Sequence, residues 1–325
     1  MPGRLFQHLN AAFQWPKADS FHGPFDLLHL MHEFSAPVSN HPNMVVTVHG
    51  LGPLLYPAYF QKDYRLKWKT DLDRTVDCAS RVIAVSESLA GQLRRYRSGI
   101  SHKIHSTPLG VADVFFAQTS EASNRNFTSQ SGIGYPYILY TGAFDEGKNI
   151  STLLEAFSLY LNEPGSAKPF HLVLVGNSHW GGYDELREKA AELKIDSKTH
   201  FLDYIDHSAL PIFYRRCSLF VFPSLFEGFG LPVLEAMACG APCLISNRPA
   251  LDELGKEIAV YFDPTSPADL AEKLLYLLDD GEKLAEMSRK GRLHAKEYTW
   301  KNTALETIGV YESVLGVELI AGGKT

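Results

Sequence analysis

Two glutamates, Glu227 and Glu235, flank a glycine-containing loop and the start of a helix in the segment EGFGLPVLEAMACG at 227–240, with seven residues between them. Pro232 suits the first helical turn, where its missing N–H leaves no hydrogen bond unmade. A helix N-terminus presents unpaired N–H groups and the positive end of the helix dipole, which bind anions. Carboxylates accept hydrogen bonds from hydroxyl pairs. The segment predicts a site for a ligand with negative charge and hydroxyls, although Glu235 is alternatively a solvated helix residue.

The chain around this segment alternates short apolar runs with amphipathic stretches. This pattern predicts a doubly wound parallel unit, whose ligand binds at the carboxyl ends of the strands. The predicted strands lie at 135–142, 170–176, 199–204, 218–224, 241–247 and 258–263, and the predicted helices at 150–161, 183–194, 207–216, 231–239, 266–279, 281–297 and 300–315.

The first half of the chain has the same character. Its predicted strands lie at 25–30, 44–50, 81–86 and 103–110, with helical patterns between them. Residues 111–133 lose this periodicity and are rich in Ser, Asn and Thr, which is typical of a connection between domains. We therefore expect a Rossmann-like first domain at 1–117, a linker at 118–134, a second domain at 135–305, and a helix at 306–325 that packs back on the first domain.

Composition excludes several classes of protein. The 325 residues suit two domains. Thirty-one Lys and Arg against 37 Asp and Glu give a net charge of −6, without any run of five basic residues, so nucleic acid is not an expected partner. No apolar segment approaches the roughly 18 residues of a membrane span, and no signal peptide is evident. A cytoplasmic protein is expected.

The four cysteines, Cys78, Cys217, Cys239 and Cys243, lie in apolar contexts that favour reduced thiols. The three-residue gap between Cys239 and Cys243 suggests a metal site as an alternative. However, zinc requires three or four ligands, and no neighbouring His or Cys pair completes the set.

The paired-glutamate segment resembles the donor-site signature of the family-4 retaining glycosyltransferases, and its amino-acid sequence is most similar to that of the mannosyltransferase branch. The resemblance extends to YTGAFDEGKNISTLLEAF (140–157), LVLVGNS (172–178), residues 203–230 and YTWKNTALETIGVYE, and in the first half to FDLLHL, VVTVHGLG and RVIAVSESL. It implies the α/β fold called GT-B, in which two Rossmann-like doubly wound domains face each other across a cleft.

By this resemblance, Lys148 binds the donor diphosphate, Glu227 the hydroxyls of the transferred sugar, and Glu235 the ribose. His49, which ends the VVTVHG strand, lies against the sugar ring and phosphate, and His29 and His32 are candidate neighbours of the cleft. The implied catalytic residues are thus His49, Glu227 and Lys148, and the implied donor-binding residues are Gly142, Lys148, Gly176, Tyr204, Ile205, Phe229, Gly230, Leu231 and Glu235.

The implied activity is transfer of a hexose with retention of configuration, from a nucleotide-sugar donor to a glycan, a lipid-linked or a small-molecule acceptor, in polysaccharide biosynthesis. Mannose and a GDP-sugar are favoured, while UDP- and dTDP-sugars stay open. No metal or cofactor is expected, because the only Asp-x-Asp, Asp71 and Asp73, lies in a helical stretch. A noncatalytic nucleotide-sugar-binding or assembly subunit is the alternative, whereas the paired-glutamate loop disfavours an epimerase or a phosphorylase.

Two departures from the family pattern stand out. Relatives carry an arginine near the phosphate lysine, but Glu146 and Gly147 precede Lys148 here, and Arg248 is one open replacement. Relatives also begin with about 60 further residues, or two strand-and-helix units. The first domain is therefore expected to be abbreviated, rebuilt from residues 1–24, or nonfunctional. A partner chain or second copy that covers the shortened sheet is therefore expected, as is a peripheral membrane contact.

Overall fold

A computed structural model describes residues 25–33, 43–117, 127, 132–164, 170–176 and 182–319. The chain divides into two compact units, one formed by Met1–Pro108 with Lys301–Thr325 and the other by Leu109–Trp300, called unit 1 and unit 2. The expected replacement of the missing elements by residues 1–24 and most of the expected linker lie outside the described residues.

Unit 1 contains a four-stranded parallel sheet in the order β1-β2-β3-β4. The strands are β1 (Leu28–Leu30), β2 (Met44–Val48), β3 (Arg81–Ala84) and β4 (Ile104–Ser106), and the helices between them are α1 (Gly52–Leu55), α2 (Lys62–Cys78) and α3 (Glu87–Tyr96). The MVVTV sequence of β2 is buried along its whole length, as expected of a parallel strand covered on both faces.

The last described helix completes unit 1. This helix, α11 (Trp300–Leu315), has the bounds predicted from periodicity. The expected helix at 306–325 instead ends at Leu315, and the described residues 316–319 are not helical. Its Val310 is buried against Val45 and Ile83 of the sheet. The chain thus returns to its first unit after building the second.

Unit 2 contains a six-stranded parallel sheet in the order β10-β9-β8-β5-β6-β7. Its strands are β5 (Tyr137–Thr141), β6 (His171–Val175), β7 (Thr199–Leu202), β8 (Leu219–Phe222), β9 (Cys243–Ser246) and β10 (Val260–Phe262). The chain builds outward from β5 to β7, then returns to the other side of β5 with β8. Ligands of doubly wound sheets bind where this direction reverses. The reversal lies between β5 and β8.

Helices connect the strands of unit 2. They are α4 (Ile150–Asn162), α5 (Tyr183–Glu192), α6 (Leu210–Arg216), α7 (Leu231–Cys239), α8 (Pro249–Gly255), α9 (Pro267–Asp279) and α10 (Gly281–Ala295). The bounds of α7 agree with the sequence prediction because Gly230 (φ 105°) and Gly240 (φ 84°) adopt left-handed conformations at its two ends. Helix α8 lies outside the helices predicted from the sequence.

The units divide the chain after Pro108 and after Trp300 rather than at the predicted positions 117 and 305. Residues 109–117 belong to unit 2 because they bond to its later segments. The Val111 amide donates to Tyr298 O at 3.1 Å, and the Cys239 thiol donates to Phe115 O at 3.3 Å. Loss of periodicity after residue 110 therefore marks irregular chain that is already part of unit 2.

Candidate functional site

The loops that follow β5 and β8 are tied together at the point where the sheet of unit 2 reverses direction. The Leu225 amide donates to Gly147 O at 2.9 Å, and the Asn149 side chain donates to Pro223 O at 3.1 Å. These bonds fix the segment carrying Lys148 against the segment carrying Glu227. Both predicted side chains therefore lie at the expected ligand-binding edge.

Lys148 and Glu227 form an ion pair, with Nζ 2.6 Å from Oε1. Both side chains are largely buried, with 26% and 14% of their areas exposed. Burial lowers the pKa of the Lys148 ammonium, but the charge and hydrogen bond of Glu227, with Asp145, outweigh it, so the net shift is upward. The carboxyl edge thus carries a protonated lysine, and Nζ retains donors beyond the one that Glu227 accepts.

A tight turn positions Lys148. Residues Glu146–Lys148 form a 3-10 helix whose Asp145 side chain accepts from the Lys148 amide at 3.2 Å. A Cβ added to Gly147 would lie 2.6 Å from Cζ of Phe226, so this position has no room for a side chain while Phe226 keeps its place. The glycine that precedes Lys148 therefore has a packing reason in this chain.

Helix α7 begins directly after the Glu227 loop. Gly230 caps it, and a Cβ there would lie 2.6 Å from Cδ2 of Leu251 on α8. Phe229 is buried, with its ring at 6.0 Å and 61° to that of Tyr298. Leu231 is half-buried at the first helical position. The backbone N–H groups of this first turn, together with the Lys148 ammonium, give the switch point two sources of positive potential.

Glu235, one turn into α7, is held in a hydrogen-bonded chain. The Tyr214 hydroxyl donates to Glu235 Oε2 at 2.9 Å and lies 2.7 Å from Thr141 Oγ1 at the end of β5. Burial raises the pKa of the Glu235 carboxyl, and the Tyr214 hydrogen bond and nearby His207 offset only part of that shift. The alternative interpretation of Glu235 as a solvated helix residue is therefore wrong, since only 16% of its side chain is exposed.

Four further predicted donor residues follow the strands on the other side of the switch point. Gly142 follows β5 with φ 150°, and a Cβ on Gly176 after β6 would lie 2.1 Å from Gly142 O. The two glycines thus allow backbone-to-backbone approach at this edge. Beyond β7, Tyr204 is 69% exposed and Ile205 is half-buried. These positions follow the carboxyl ends of β5, β6 and β7.

The predicted histidines belong to unit 1, not to the Lys148 and Glu227 cluster of unit 2. His49 follows β2, and its Nε2 lies 2.9 Å from Met31 O. The ring of His32 lies 4.9 Å from that of His49. His29 has structural partners, since Nδ1 is 2.6 Å from the Tyr311 hydroxyl of α11 and Nε2 is 2.8 Å from Thr47 Oγ1.

The other polar candidates, with the exception of Arg248, have ordinary environments. Asp71 and Asp73 lie on α2, as expected, and each pairs with the lysine four residues earlier at 2.5 Å. All four cysteines are free thiols. Across the described ranges no three His, Cys, Asp or Glu side chains cluster in a way that could hold a metal ion. Arg248 caps α8 at the end of β9, and its buried Nε has no hydrogen-bond partner among the described residues.

Three side chains around Glu235 were not among the site residues predicted from the sequence: Thr141, Tyr214 and His207. Tyr214 is separated from Thr141 by 73 residues and from Glu235 by 21, so no local pattern connects them. The one available signal was that Thr141 ends a strand whose carboxyl end was already expected to face the ligand.

Family models match both parts of the chain. The model described as Glycosyl transferases group 1 matches residues 124–294, and Glycosyltransferase Family 4 matches residues 2–113. The resemblance identified from the motifs is thereby confirmed, and it extends to residues before 25.

Relatives with assigned activities align over most of the chain. It is 28% identical to the O-antigen chain mannosyltransferase B of Escherichia coli, over 82% of this chain and 70% of that protein. It is 29% identical to the serotype-specific mannosyltransferase WbdA of Escherichia coli, over 83% of this chain but only 33% of that protein. The chain therefore spans about one third of the length of WbdA.

Solved structures share the fold. Sucrose-phosphate synthase from Thermosynechococcus elongatus superposes with a TM-score of 0.73 at 21% identity, covering 96% of this chain and 77% of that chain. The α/β GT-B fold class expected from the sequence is confirmed. Among the described helices, none combines the length and apolar character needed to cross a membrane.

Proposed function

Because the chain belongs to the group 1 glycosyltransferases, we propose that it is a retaining hexosyltransferase that uses a nucleotide-diphosphate sugar, with GDP-mannose as the favoured donor. The observation that carries this proposal is the pairing of Lys148 with Glu227 at the point where the sheet of unit 2 reverses direction. Similarity to two mannosyltransferases supports the choice of mannose.

The diphosphate leaving group is proposed to meet Lys148 and the first turn of α7. Departure of a nucleoside diphosphate develops negative charge, and preorganised cations and backbone donors stabilise it. Lys148 is already protonated and held in place by Glu227 at 2.6 Å. Since these groups supply positive potential where charge develops, we propose that the reaction requires no metal or cofactor.

The two carboxylates are proposed to bind hydroxyls at opposite ends of the donor. Glu227 lies beside Lys148, so it would bind hydroxyls of the transferred sugar next to the phosphates. Glu235 lies further along α7, beside Tyr214 and Thr141, so it would bind the ribose. Gly142, Gly176, Tyr204 and Ile205 line the edge toward β7 and are proposed to contact the nucleoside.

Other assignments rest on the family resemblance. His49 is proposed to contact the sugar ring, and transfer is proposed to retain the anomeric configuration. The acceptor is proposed to be a glycan or lipid-linked saccharide of polysaccharide biosynthesis, a choice that the O-antigen role in the name of one relative supports. A peripheral membrane contact and a second copy or partner chain over unit 1 complete the proposal.

Calorimetric titration with GDP, UDP, ADP and dTDP tests the donor site directly. We expect GDP to bind best and Lys148→Ala to weaken its binding about 10- to 100-fold, as expected for a charge-assisted hydrogen bond. Lys290→Ala is the matched control, because it also breaks a lysine–glutamate pair of unit 2, with Glu286 at 2.7 Å, but on the exposed face of α10. Tighter binding of another nucleotide would overturn the choice of GDP.

Turnover separates transfer from binding alone. Release of nucleoside diphosphate from the matching sugar donor is measured with a panel of saccharide acceptors, for the wild type, Glu227→Gln and His49→Ala. We expect both substitutions to reduce turnover, and product NMR to show the retained anomer. Nucleotide binding without turnover for any acceptor would instead support the noncatalytic alternative, and no nucleotide binding would exclude both.

A further inference from the structure

His207 lies beside the carboxylate of Glu235. It precedes α6, on the segment that follows β7, and its Nε2 is 3.8 Å from Glu235 Oε1. The other carboxylate oxygen, Oε2, already accepts the Tyr214 hydroxyl. Oε1 is therefore the oxygen that Glu235 can offer to a ligand, and His207 is the side chain next to it.

A buried aromatic residue supports one side of the His207 ring. Phe115 meets it edge to face, with ring centroids 5.0 Å apart at 86°. Phe115 is itself only 1% exposed, and its carbonyl oxygen accepts from Arg215 at 2.8 Å and from Cys239. The imidazole thus packs against a buried ring on one side, while 58% of the His207 side chain is exposed and accessible to a ligand.

The separation of His207 and Glu235 fits a hydroxyl group between them. At 3.8 Å the two atoms are too far apart for a direct hydrogen bond. A single hydroxyl oxygen can lie about 2.8 Å from both atoms at once, which is a normal hydrogen-bond length. The hydroxyl would donate its hydrogen to Glu235 Oε1 and accept a hydrogen bond from the Nε2–H of His207. Both protein groups would thus have a hydrogen-bond partner in the ligand.

We propose that His207 is a ribose-binding residue of the donor site, which holds one hydroxyl of the nucleoside diphosphate jointly with Glu235. This inference rests on the proposed function, because it takes the ligand at Glu235 to be a nucleotide. Two carboxylates interact electrostatically with the imidazole, Glu235 from α7 and the adjacent Asp206. Asp206 is occupied by the amide and hydroxyl of Ser208, at 2.8 and 2.5 Å.

The test combines substitutions in the protein with changes in the ligand, in the manner of a double-mutant cycle. Binding of GDP, 2′-deoxy-GDP and 3′-deoxy-GDP, and of the corresponding uridine set, is measured by calorimetry for the wild type, His207→Ala and His207→Gln. We expect His207→Ala to weaken GDP or UDP binding about five- to tenfold, the size of one hydrogen bond. The same substitution should have little effect on the deoxy analogue that lacks the shared hydroxyl. His207→Gln, which keeps a donor, should recover part of the loss.

A purely structural role for His207 would weaken all three ligands of a set by the same factor, and that result would overturn the inference. Unchanged affinity of His207→Ala for every ligand would overturn it as well. His102→Ala, which removes an exposed histidine of unit 1, is the control. Failure of the wild type to bind any of the nucleotides would instead reject the proposed function together with this inference, so the two failures are distinguishable.

Discussion

Lys148 and Glu227, separated by 79 positions in the chain, join their side chains at 2.6 Å across the reversal point of the second sheet. The cation proposed for the phosphates is therefore held by the carboxylate proposed for the sugar. This hydrogen bond orients both side chains, which reduces the reorganisation that donor binding requires. The same pairing makes the stability of the loops depend on both residues.

Replacement of Lys148 by Met should lower both stability and donor affinity. The largely buried Glu227 carboxylate would lose its partner, at a cost of about 1–3 kcal/mol in the free energy of unfolding. Chemical denaturation checks this loss. The double variant Lys148→Met with Glu227→Gln should recover much of the stability, because it leaves no unpaired charge, yet it should still bind nucleotide weakly. Equal stability of the wild type and Lys148→Met would show that the pair contributes little.

Replacement of Glu235 by Gln should weaken nucleotide binding without lowering the stability of the protein. Burial raises the pKa of the Glu235 carboxyl above its ordinary value of 4.5, so the folded protein binds the proton more tightly than the unfolded chain. The protonated carboxyl therefore contributes stability at low pH. This contribution is lost as the pH rises from the unfolded pKa through the folded pKa, because ionisation favours unfolding. At pH 7, Glu235→Gln should be at least as stable as the wild type and should bind nucleotide more weakly.

Denaturant titrations between pH 4 and pH 7 check the sign of this effect. The difference in unfolding free energy between Glu235→Gln and the wild type should grow in favour of the variant as the pH rises. The exposed Glu286, whose hydrogen bonds to Lys290 and Lys283 lower its pKa, gives the opposite control. For Glu286→Gln the difference should instead move against the variant over the same range.

Replacement of Tyr214 by Phe should disturb Glu235 without removing it. The hydroxyl bonds to Glu235 and to Thr141, so its loss leaves two partly or fully buried oxygens with one partner fewer, at a cost of about 1–2 kcal/mol. That hydrogen bond lowers the pKa of Glu235, so the pKa should rise further in the variant. NMR titration of the Glu235 carboxyl measures the shift, and Tyr276→Phe, at a 55% exposed tyrosine, should leave it unchanged.

The sequence was sufficient to predict local structure wherever chain chemistry alone determines it. Helix α7 has the predicted bounds because glycines at both ends adopt left-handed conformations that other residues avoid. Helix α8 was not predicted since its seven residues, PALDELG, are too few to show helical periodicity, although Pro249 is a start signal. The boundary at 117 was misplaced because irregular chain was interpreted as a linker, whereas its bonds run to Tyr298 and Cys239.

Some features of the candidate site could be predicted from the sequence, and others could not. Lys148, Glu227 and Glu235 could be singled out because they lie in recognisable segments. The support of Glu235 by Tyr214 could not be predicted, since it depends on how α6 packs beside α7. The proximity of His207 to Glu235 likewise arises only after the end of β7 and the start of α7 meet in space. Contacts of this kind are determined by tertiary packing, which a single sequence does not display.

Gly147 offers a test of how closely the loop before Lys148 is packed. A Cβ at this position would lie 2.6 Å from Cζ and 3.1 Å from Cε1 of Phe226 and 3.1 Å from Oδ1 of Asp145. Because the ring must shift to admit a methyl group, Gly147→Ala should destabilise the protein by about 1–3 kcal/mol, the usual cost of overpacking. The displaced turn should also weaken nucleotide binding through Lys148. Thermal unfolding and calorimetry measure the two effects.

A second substitution distinguishes this steric cause from a change in chain flexibility. Phe226→Leu removes the ring atoms nearest to position 147, so Gly147→Ala should cost much less stability in that background than in the wild type. Gly281→Ala, at a glycine with no neighbouring atom within 4 Å of an added Cβ, controls for the general effect of glycine replacement. If Gly147→Ala costs the same with and without Phe226, the ring does not set the identity of this residue. In that case the other close neighbour, Asp145 Oδ1 at 3.1 Å from the added Cβ, would account for the cost instead.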